Sequence, residues 1–531
     1  MHSLHRQQRS PSTAFTLQIL ILVAIILLTS TTLLQFALCH QSFTIYRGIQ
    51  YDRTLGNQLE LGVRRTVIHN PLPISLLPNS YFEVEKQKQS SVVAINERSV
   101  LVLYLDQLLK SFTASSTSTA TSGGGGNGTS SVLQSALLDQ FLTLTNRNAQ
   151  WSALFVVLPA NFSSDTAATM MSAEQASAFK ELELILLTRS IEKPIYFVKN
   201  DQELQVLLDR VRQGDSSVQV TVNTVKEAST LSSSVKLVNF VGTLSGKVHS
   251  TSGNNKKSAA ATQQEKLSLA IVANYDTLSA VPELTRGMSS TGSSVVGLLE
   301  LARIFKSFYA APATKPSYDL MFVLTSASRL GYEGSRNWLK NLPASIRSNL
   351  QFVLCLENIS APQLNVHITQ KTNDEHIVRL FRELSTSAKQ MNIPLQFSEK
   401  ALAAGKEASW EHEIFARNKI HAATISSLSK SVPQRLRTST LDLSVNQTVV
   451  EHNIRVIADA LVKFIYRDGA ADDVSSKVRL NQNYIKNSLH LMSQHSRSLP
   501  FTTVGSPFVD AMRGVMRQMF AGRVQEDEFD L

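Results

Sequence analysis

From residue 236 to residue 467 the chain alternates short apolar runs with stretches of helical period, and no other feature narrows its possible folds as much. Leu269 to Ala273 carry no polar side chain, and SYDLMFVLTSA (317–327) and LQFVLCLENIS (350–360) are nearly as apolar. Runs like these suit strands covered on both faces, as in a parallel sheet. Between them Val295, Val296, Leu299, Ala302, Phe305 and Phe308 recur at helical spacing over 293–309. YEGSRNWLKNL (332–342), DEHIVRLFRELSTSAKQM (374–391) and TVVEHNIRVIADALVKFIY (448–466) read as further helices, and NVHITQ as a strand. The expected fold is α/β: a three-layer α/β/α domain with a mostly parallel sheet. In open sheets of this kind the site lies just past the carboxyl ends of the strands. Past the first of these runs the polar residues are Asn274 and Asp276.

A smaller α/β lobe is expected before this domain, over 42–235. SFTIYRGIQYD (42–52), SVLVLYLDQLL (99–109), WSALFVVLP (151–159) and KPIYFVKN (193–200) are strand-like. SSVLQSALLDQFLTL (130–144), EQASAFKELELILLTRS (174–190) and DQELQVLLDRVRQG (201–214) are helix-like. The Ser/Thr/Gly tract within 113–131 cannot bury a core and is read as a disordered insertion. The polar stretch 250–266 reads as a loop, and 468–531 as a polar, partly helical carboxyl-terminal segment.

At 531 residues the chain exceeds a single core, and 43% hydrophobic with 18% charged residues is ordinary for globular domains. The formal charge of +10 is scattered, without a Lys/Arg run or basic-aromatic motif, which argues against nucleic acid as a partner. His2, His5, Arg6 and Arg9 precede an apolar stretch from Ala14 to Cys39. That pattern marks residues 1–40 as a signal peptide or signal anchor and places the body of the chain in a lumen. Sequons begin at Asn127, Asn161, Asn358 and Asn446, the expected N-glycosylation sites of an exported chain. The only cysteines, Cys39 and Cys355, cannot build a disulfide framework, and Cys355 reads as a core residue.

The ordered motifs resemble the co-catalytic zinc aminopeptidases and their inactive relatives. RGMSSTGSSVVGLLELAR (286–303) is similar to the family's loop and helix at LLELAR, SRLGYEGSRNWL (328–339) keeps Gly331, Gly334 and Ser335, and LCLEN (354–358) ends the next strand. The resemblance covers about residues 236–467. It implies that the first ligand histidine falls on Asn274 and its orienting carboxylate on Asp276. The bridging aspartate falls on Ser289, the general base on Ser328, one ligand glutamate on Arg329 and one ligand aspartate on Glu357. The last ligand histidine falls near TISSLSKS (424–431), which has none. Catalytic zinc takes about three protein donors and an open water position, and a fixed Arg cation opposes a metal. The expectation is a degenerate metallopeptidase fold with no catalytic residue, metal or cofactor.

Other constellations are weaker. His412-Glu413 begins like HExxH, but Ala416 stands where the second His belongs; Glu411 and His412 beside Trp410 and Phe415 predict a helix start against the core. There is no GxSxG elbow, and GTLSGK (242–247) is too short for a P-loop. SFTIYRGIQYD, NYD (274–276), FVLCLEN and SWEHEIFARNKIHAATIS (409–426) resemble an inactive branch of the family that resides in the endoplasmic reticulum membrane. That resemblance implies a non-catalytic lumenal scaffold subunit assisting multipass membrane-protein insertion at the translocon. The implied partners are a Nodal-modulator-like lumenal protein, a small polytopic membrane protein and the protein-translocating channel. The alternatives are a nicastrin-like receptor for peptide termini and, less favoured, an active metallo-aminopeptidase rebuilt around Asp276 and Glu357. The branch also has a transmembrane helix near its carboxyl terminus, whereas VDAMRGVMRQMFAGRV (509–524) is too short and too charged for one. Either the sequence is truncated there or the segment 14–39 is the only anchor.

Overall fold

The computed structural model describes residues 42–48, 62–63, 71–76, 98–110, 151–160, 162, 171–191, 193–222, 235–247, 267–369, 373–402, 405, 407–466 and 474–531. The segments 14–39, 113–131, 130–144 and 250–266, and the sequons at Asn127 and Asn161, lie outside the described residues. Among those residues no helix is long and apolar enough to cross a membrane.

The first lobe comprises β1 (Ile45–Arg47), β2 (Gly62–Val63), β3 (Leu72–Leu76), β4 (Val100–Tyr104), β5 (Ala153–Leu158), α1 (Ala173–Thr188), β6 (Ser190–Ile191), β7 (Ile195–Lys199), α2 (Gln202–Arg212) and β8 (Gln219–Val220). Its main sheet has the order β1-β7-β5-β4-β3-β8, with the four central strands parallel and both outer strands antiparallel. Ser172 starts α1 through a complete capping box with Gln175, and Asp201 caps α2 at the nitrogen of Leu204.

The second lobe opens with β9 (Lys236–Leu244) and β10 (Ser268–Asn274), then α3 (Ser293–Ala310), β11 (Asp319–Thr325), α4 (Glu333–Asn341), α5 (Ala344–Asn349) and β12 (Leu350–Glu357). It continues with β13 (Leu364–Ile368), α6 (Glu375–Gln390), β14 (Leu395–Glu399), α7 (His412–Ala416), β15 (Ala422–Ser426) and α8 (Gln447–Ile465). The carboxyl-terminal segment adds α9 (Gln482–Gln494), α10 (Pro507–Met519) and β16 (Val524–Asp530). One eight-stranded sheet runs β14-β13-β15-β12-β10-β11-β9-β16. Its centre, β15-β12-β10-β11, is parallel, and β9 joins β11 antiparallel. The segment after residue 467 is thus more than helical, because β16 pairs along β9 from Val524 opposite Gly242 to Asp530 opposite Lys236.

Alternation along β10 explains the three layers. Leu269, Ile271 and Ala273 share a core with α3, α6, α8, α9 and α10, whereas Ala270 and Val272 pack with Trp338, Ile414 and Phe415 of α4 and α7. Cys355 is buried in the second of these layers. The two lobes also share apolar packing: Ala280, Val281, Leu284 and Leu441 join Phe179, Leu182 and Leu186 of α1.

Candidate functional site

Parallel pairing of β10 with β11 and β12 brings the tips Asn274, Thr325 and Glu357 to one edge of the sheet. Asn274 is buried in a network of neutral partners around a carboxyl group. Its Nδ2 donates to Oε2 of Glu411 at 3.1 Å, and its Oδ1 accepts from the Thr325 hydroxyl at 2.7 Å. Ser335 donates to the other Glu411 oxygen, which lies 3.2 Å from the Thr325 hydroxyl. Burial, with the charge of Glu357, pushes the Glu411 carboxyl up to about 7 despite these hydrogen bonds. Asp276 accepts the backbone N–H of Ser328 at 3.0 and 3.1 Å to its two oxygens. Burial raises its pKa against the opposing effects of that bond and of Arg329.

The centre of the site is an ion-pair lock. Arg329, 1% exposed, places Nη1 2.9 Å from Oε1 of Glu357, itself 2% exposed. Arg437 reaches the same carboxylate from the opposite end of the domain sequence, with Nη1 2.8 Å from each oxygen. The Tyr332 hydroxyl donates to Oε2 at 3.2 Å and accepts from Arg437 at 2.7 Å. Burial alone would raise the Glu357 pKa, but Arg437 and Arg329 outweigh it and hold the carboxyl down at about 2. Arg437 is fixed further by carbonyls of Val432 and Ser409 and lies 4.4 Å from the Trp410 ring centre. Trp410 stacks in turn on His367 at 4.0 Å. His412 starts α7 inside the core, as its apolar neighbours suggested, and burial brings its imidazole down to about 3.

Loops around the lock are shaped by close approach. Gly287 has φ +61°, and a Cβ there would meet Cγ2 of Thr277 at 2.3 Å. A Cβ on Gly334 would meet the Ser326 carbonyl oxygen at 2.2 Å, so α4 starts against the tip of β11 only with glycine there. After Gly287 the chain makes a π turn over Met288–Gly292 before α3. Asp442 holds that turn by accepting the N–H groups of Ser289 at 2.7 Å and Ser290 at 2.9 Å. Arg497, fully buried, donates to the carbonyls of Tyr275 at 3.0 Å and Gly287 at 2.8 Å and to the Thr291 hydroxyl at 2.9 Å.

The structure therefore joins Arg329 to Glu357 and Asp276 to Ser328, ties Asn274 into the Glu411 network, and leaves half-buried Ser289 on the Asp442 turn. Glu411, Arg437, Tyr332, Asp442 and Arg497 complete the site. The sequence flagged only Glu411 among them, and as a core residue. A zinc pair does not fit these side chains: the Arg329 guanidinium bonds the one retained ligand carboxylate, and no group of three His, Cys, Asp or Glu side chains among the described residues is placed to hold a metal ion. Of the sequons within the described residues, Asn446 is exposed at the start of α8. Asn358 is half-buried and accepts the Ser360 hydroxyl at 2.7 Å.

Residues 256–460 match peptidase family M28. The BOS complex subunit NCLN of Homo sapiens is 27% identical over 365 residues, covering 63% of this chain and 63% of that protein. The Caenorhabditis elegans protein named nicalin is 28% identical over 325 residues, covering 54% and 55%. The chain thus spans less than two thirds of the length of these curated relatives. The crystal structure of the gamma-secretase component nicastrin superposes with a TM-score of 0.51 at 13% identity, over 91% of this chain and 86% of that one, which shows a common fold. The chain is thus similar to peptidase family M28 over residues 256–460 and to the nicalin and NCLN proteins over more than half of its length.

Proposed function

We propose that this chain is a non-catalytic scaffold subunit of a membrane complex of the kind named for its NCLN relatives. One observation carries the reading: in the Arg329–Glu357–Arg437 lock, two guanidinium groups engage the one carboxylate at a position that the resemblance gives to a metal ligand, and Arg329 itself stands at another such position. Without a bound dication there is no activated water and no peptidase chemistry at this edge. The domain then serves as a shaped surface for protein partners. We assign it to the endoplasmic reticulum membrane with its body in the lumen, directed there by the signal peptide or signal anchor of residues 1–40. Its partners are a Nodal-modulator-like lumenal protein, a small polytopic membrane protein and the protein-translocating channel, in assistance of multipass insertion. Asn446, exposed with Thr448 also exposed, is the better glycosylation acceptor of the two described sequons.

A nicastrin-like receptor for free amino termini requires an available carboxylate in the cleft, and Glu357 is already engaged by two guanidinium groups. The same engagement disfavours a rebuilt metallo-aminopeptidase. Affinity purification of the tagged full-length chain from microsomes in mild detergent, with mass spectrometry, tests the scaffold reading. Near-stoichiometric recovery of a β-sandwich-repeat lumenal protein with a small polytopic one is expected. A chain that elutes alone, with bound zinc and chelator-sensitive aminopeptidase activity, overturns it.

A further inference from the structure

The helix α7 is only five residues long, and its Ile414 and Phe415 pack on Ala422 of β15 and Val353 of β12. β13 and β14, farther out in the sheet, have α6 on the other face, where Val366 and Ile368 meet Ile377 and Leu380. On the face toward α7, parallel register sets His367 of β13 beside Ser398 of β14. Over these two lies a pocket of about 270 Å³, walled by Trp410 and His412 at the start of α7 and by residues 429–431 after β15. None of its lining residues belongs to the Arg329–Glu357–Arg437 lock.

The inner groups of this pocket are uncharged and short of partners. His367, Trp410 and His412 are each at most 3% exposed. Nε2 of His367 lies 2.8 Å from the Leu428 carbonyl, so that nitrogen carries the hydrogen. Burial keeps the ring neutral, which leaves Nδ1 as an acceptor. His412 meets the Thr424 hydroxyl through Nδ1 at 2.9 Å, and its Nε2 has no partner among the described residues. Nor has the indole N–H of Trp410, whose ring is stacked on His367. The hydroxyls of Ser398, Ser429 and Ser431 add groups that both donate and accept. Glu413, also in the wall, is occupied: it accepts the Trp410 backbone N–H at 3.1 Å and lies 3.9 Å from Arg417. Lys400, Lys430 and Glu399 are exposed at the mouth, where water and salt screen charges of both signs.

We infer that this pocket binds one neutral pyranose, either a free sugar or the end residue of a glycan. Each sugar hydroxyl donates and accepts, which suits a wall where an N–H donor, an imidazole acceptor and serine hydroxyls stand side by side. A carboxylate or ammonium group would give up its water there without a free counter-charge in the wall. The volume is that of about nine waters at about 30 Å³ each, enough for a sugar ring and its hydroxyls. The site needs no partner protein, so complex recovery and sugar binding succeed or fail separately.

The test uses the full-length chain in a detergent without a sugar headgroup, and saturation-transfer NMR with glucose, mannose, galactose, N-acetylglucosamine or fucose at millimolar concentration. Saturable transfer to at least one of these is expected, and none to gluconate, glucose 6-phosphate or glucosamine. Equal transfer to the methyl glycoside of that sugar assigns the site to a glycan end, and its loss assigns it to a free sugar. Trp410→Phe keeps the ring stack and removes one N–H, and should weaken half-saturation about three- to tenfold. Ser431→Phe, at a half-buried position with no hydrogen bond to lose, fills the space and should abolish the signal. It decides the matter alone if Trp410→Phe does not fold. Lys389→Met, exposed on α6, should leave the signal intact. No transfer to any of the neutral sugars, transfer that survives in Ser431→Phe, or transfer to the charged analogues alone overturns the proposal and leaves the pocket to water.

Discussion

Replacing Glu357 with Gln removes one charge and strands two guanidinium groups that are otherwise paired at 2.8–2.9 Å. Breaking a buried pair in this way costs about 3–5 kcal/mol, measurable by urea denaturation of the purified chain. The acid side of the stability profile follows from the same carboxylate. Its folded pKa of about 2 lies below the ordinary 4.5, so its contribution is fully present above about 4.5 and is lost as pH falls toward 2. Glu411 acts in the opposite sense. Held at about 7, it binds its proton more tightly folded than unfolded, so stability declines as pH rises from 4.5 to 7. The full penalty, about 3 kcal/mol, is then carried at higher pH. Glu411→Gln should flatten that decline and leave the variant relatively more stable at pH 8 than at pH 5. A slope between pH 5 and 7 that persists in the variant would show that another group is responsible.

At the scale of elements, the turn before α3 is the most sensitive to small changes. Asp442→Ala removes the acceptor for two backbone N–H groups, and a loss of about 1–2 kcal/mol is expected, as for a helix cap. β10, β11, β12 and α3 were legible because an unbroken apolar run or a long helical period admits one interpretation. β14 was not, since LQFSE is short and half-exposed, with Phe397 turned outward. β16 reads as an acidic tail, and only register with β9 makes VQEDEFD a strand. The site divides in the same way. Asn274, Asp276, Ser328, Arg329 and Glu357 stand at strand ends that the sequence marks. Arg437 and Arg497 arrive from loops with no local pattern, brought in by tertiary contact alone.

Across the whole molecule one short segment, 437–442, serves three places at once. Arg437 closes the lock, Asp442 holds the turn before α3, and Ser439 and Thr440 bond Glu183 of the first lobe at 2.5–2.9 Å. Glu183 is buried with only neutral donors, and burial raises its pKa. Glu183→Ala should cost about 1–3 kcal/mol through the unmet donors, and it should make the boundary between the lobes more sensitive to proteolysis. If stability falls while cleavage between the lobes stays unchanged, the contact does not govern how they dock. The pairing of β9 with β16 has a consequence of another kind, in time rather than space. Lys236 lies opposite Asp530, so β9 emerges from the ribosome long before the strand that covers it. During that interval the sheet has a bare edge, open to pairing with any extended chain nearby. The domain therefore completes its fold only after residue 530 has been synthesised, so the start of its final folding step is set by the far end of the sheet and not by the strands at its centre.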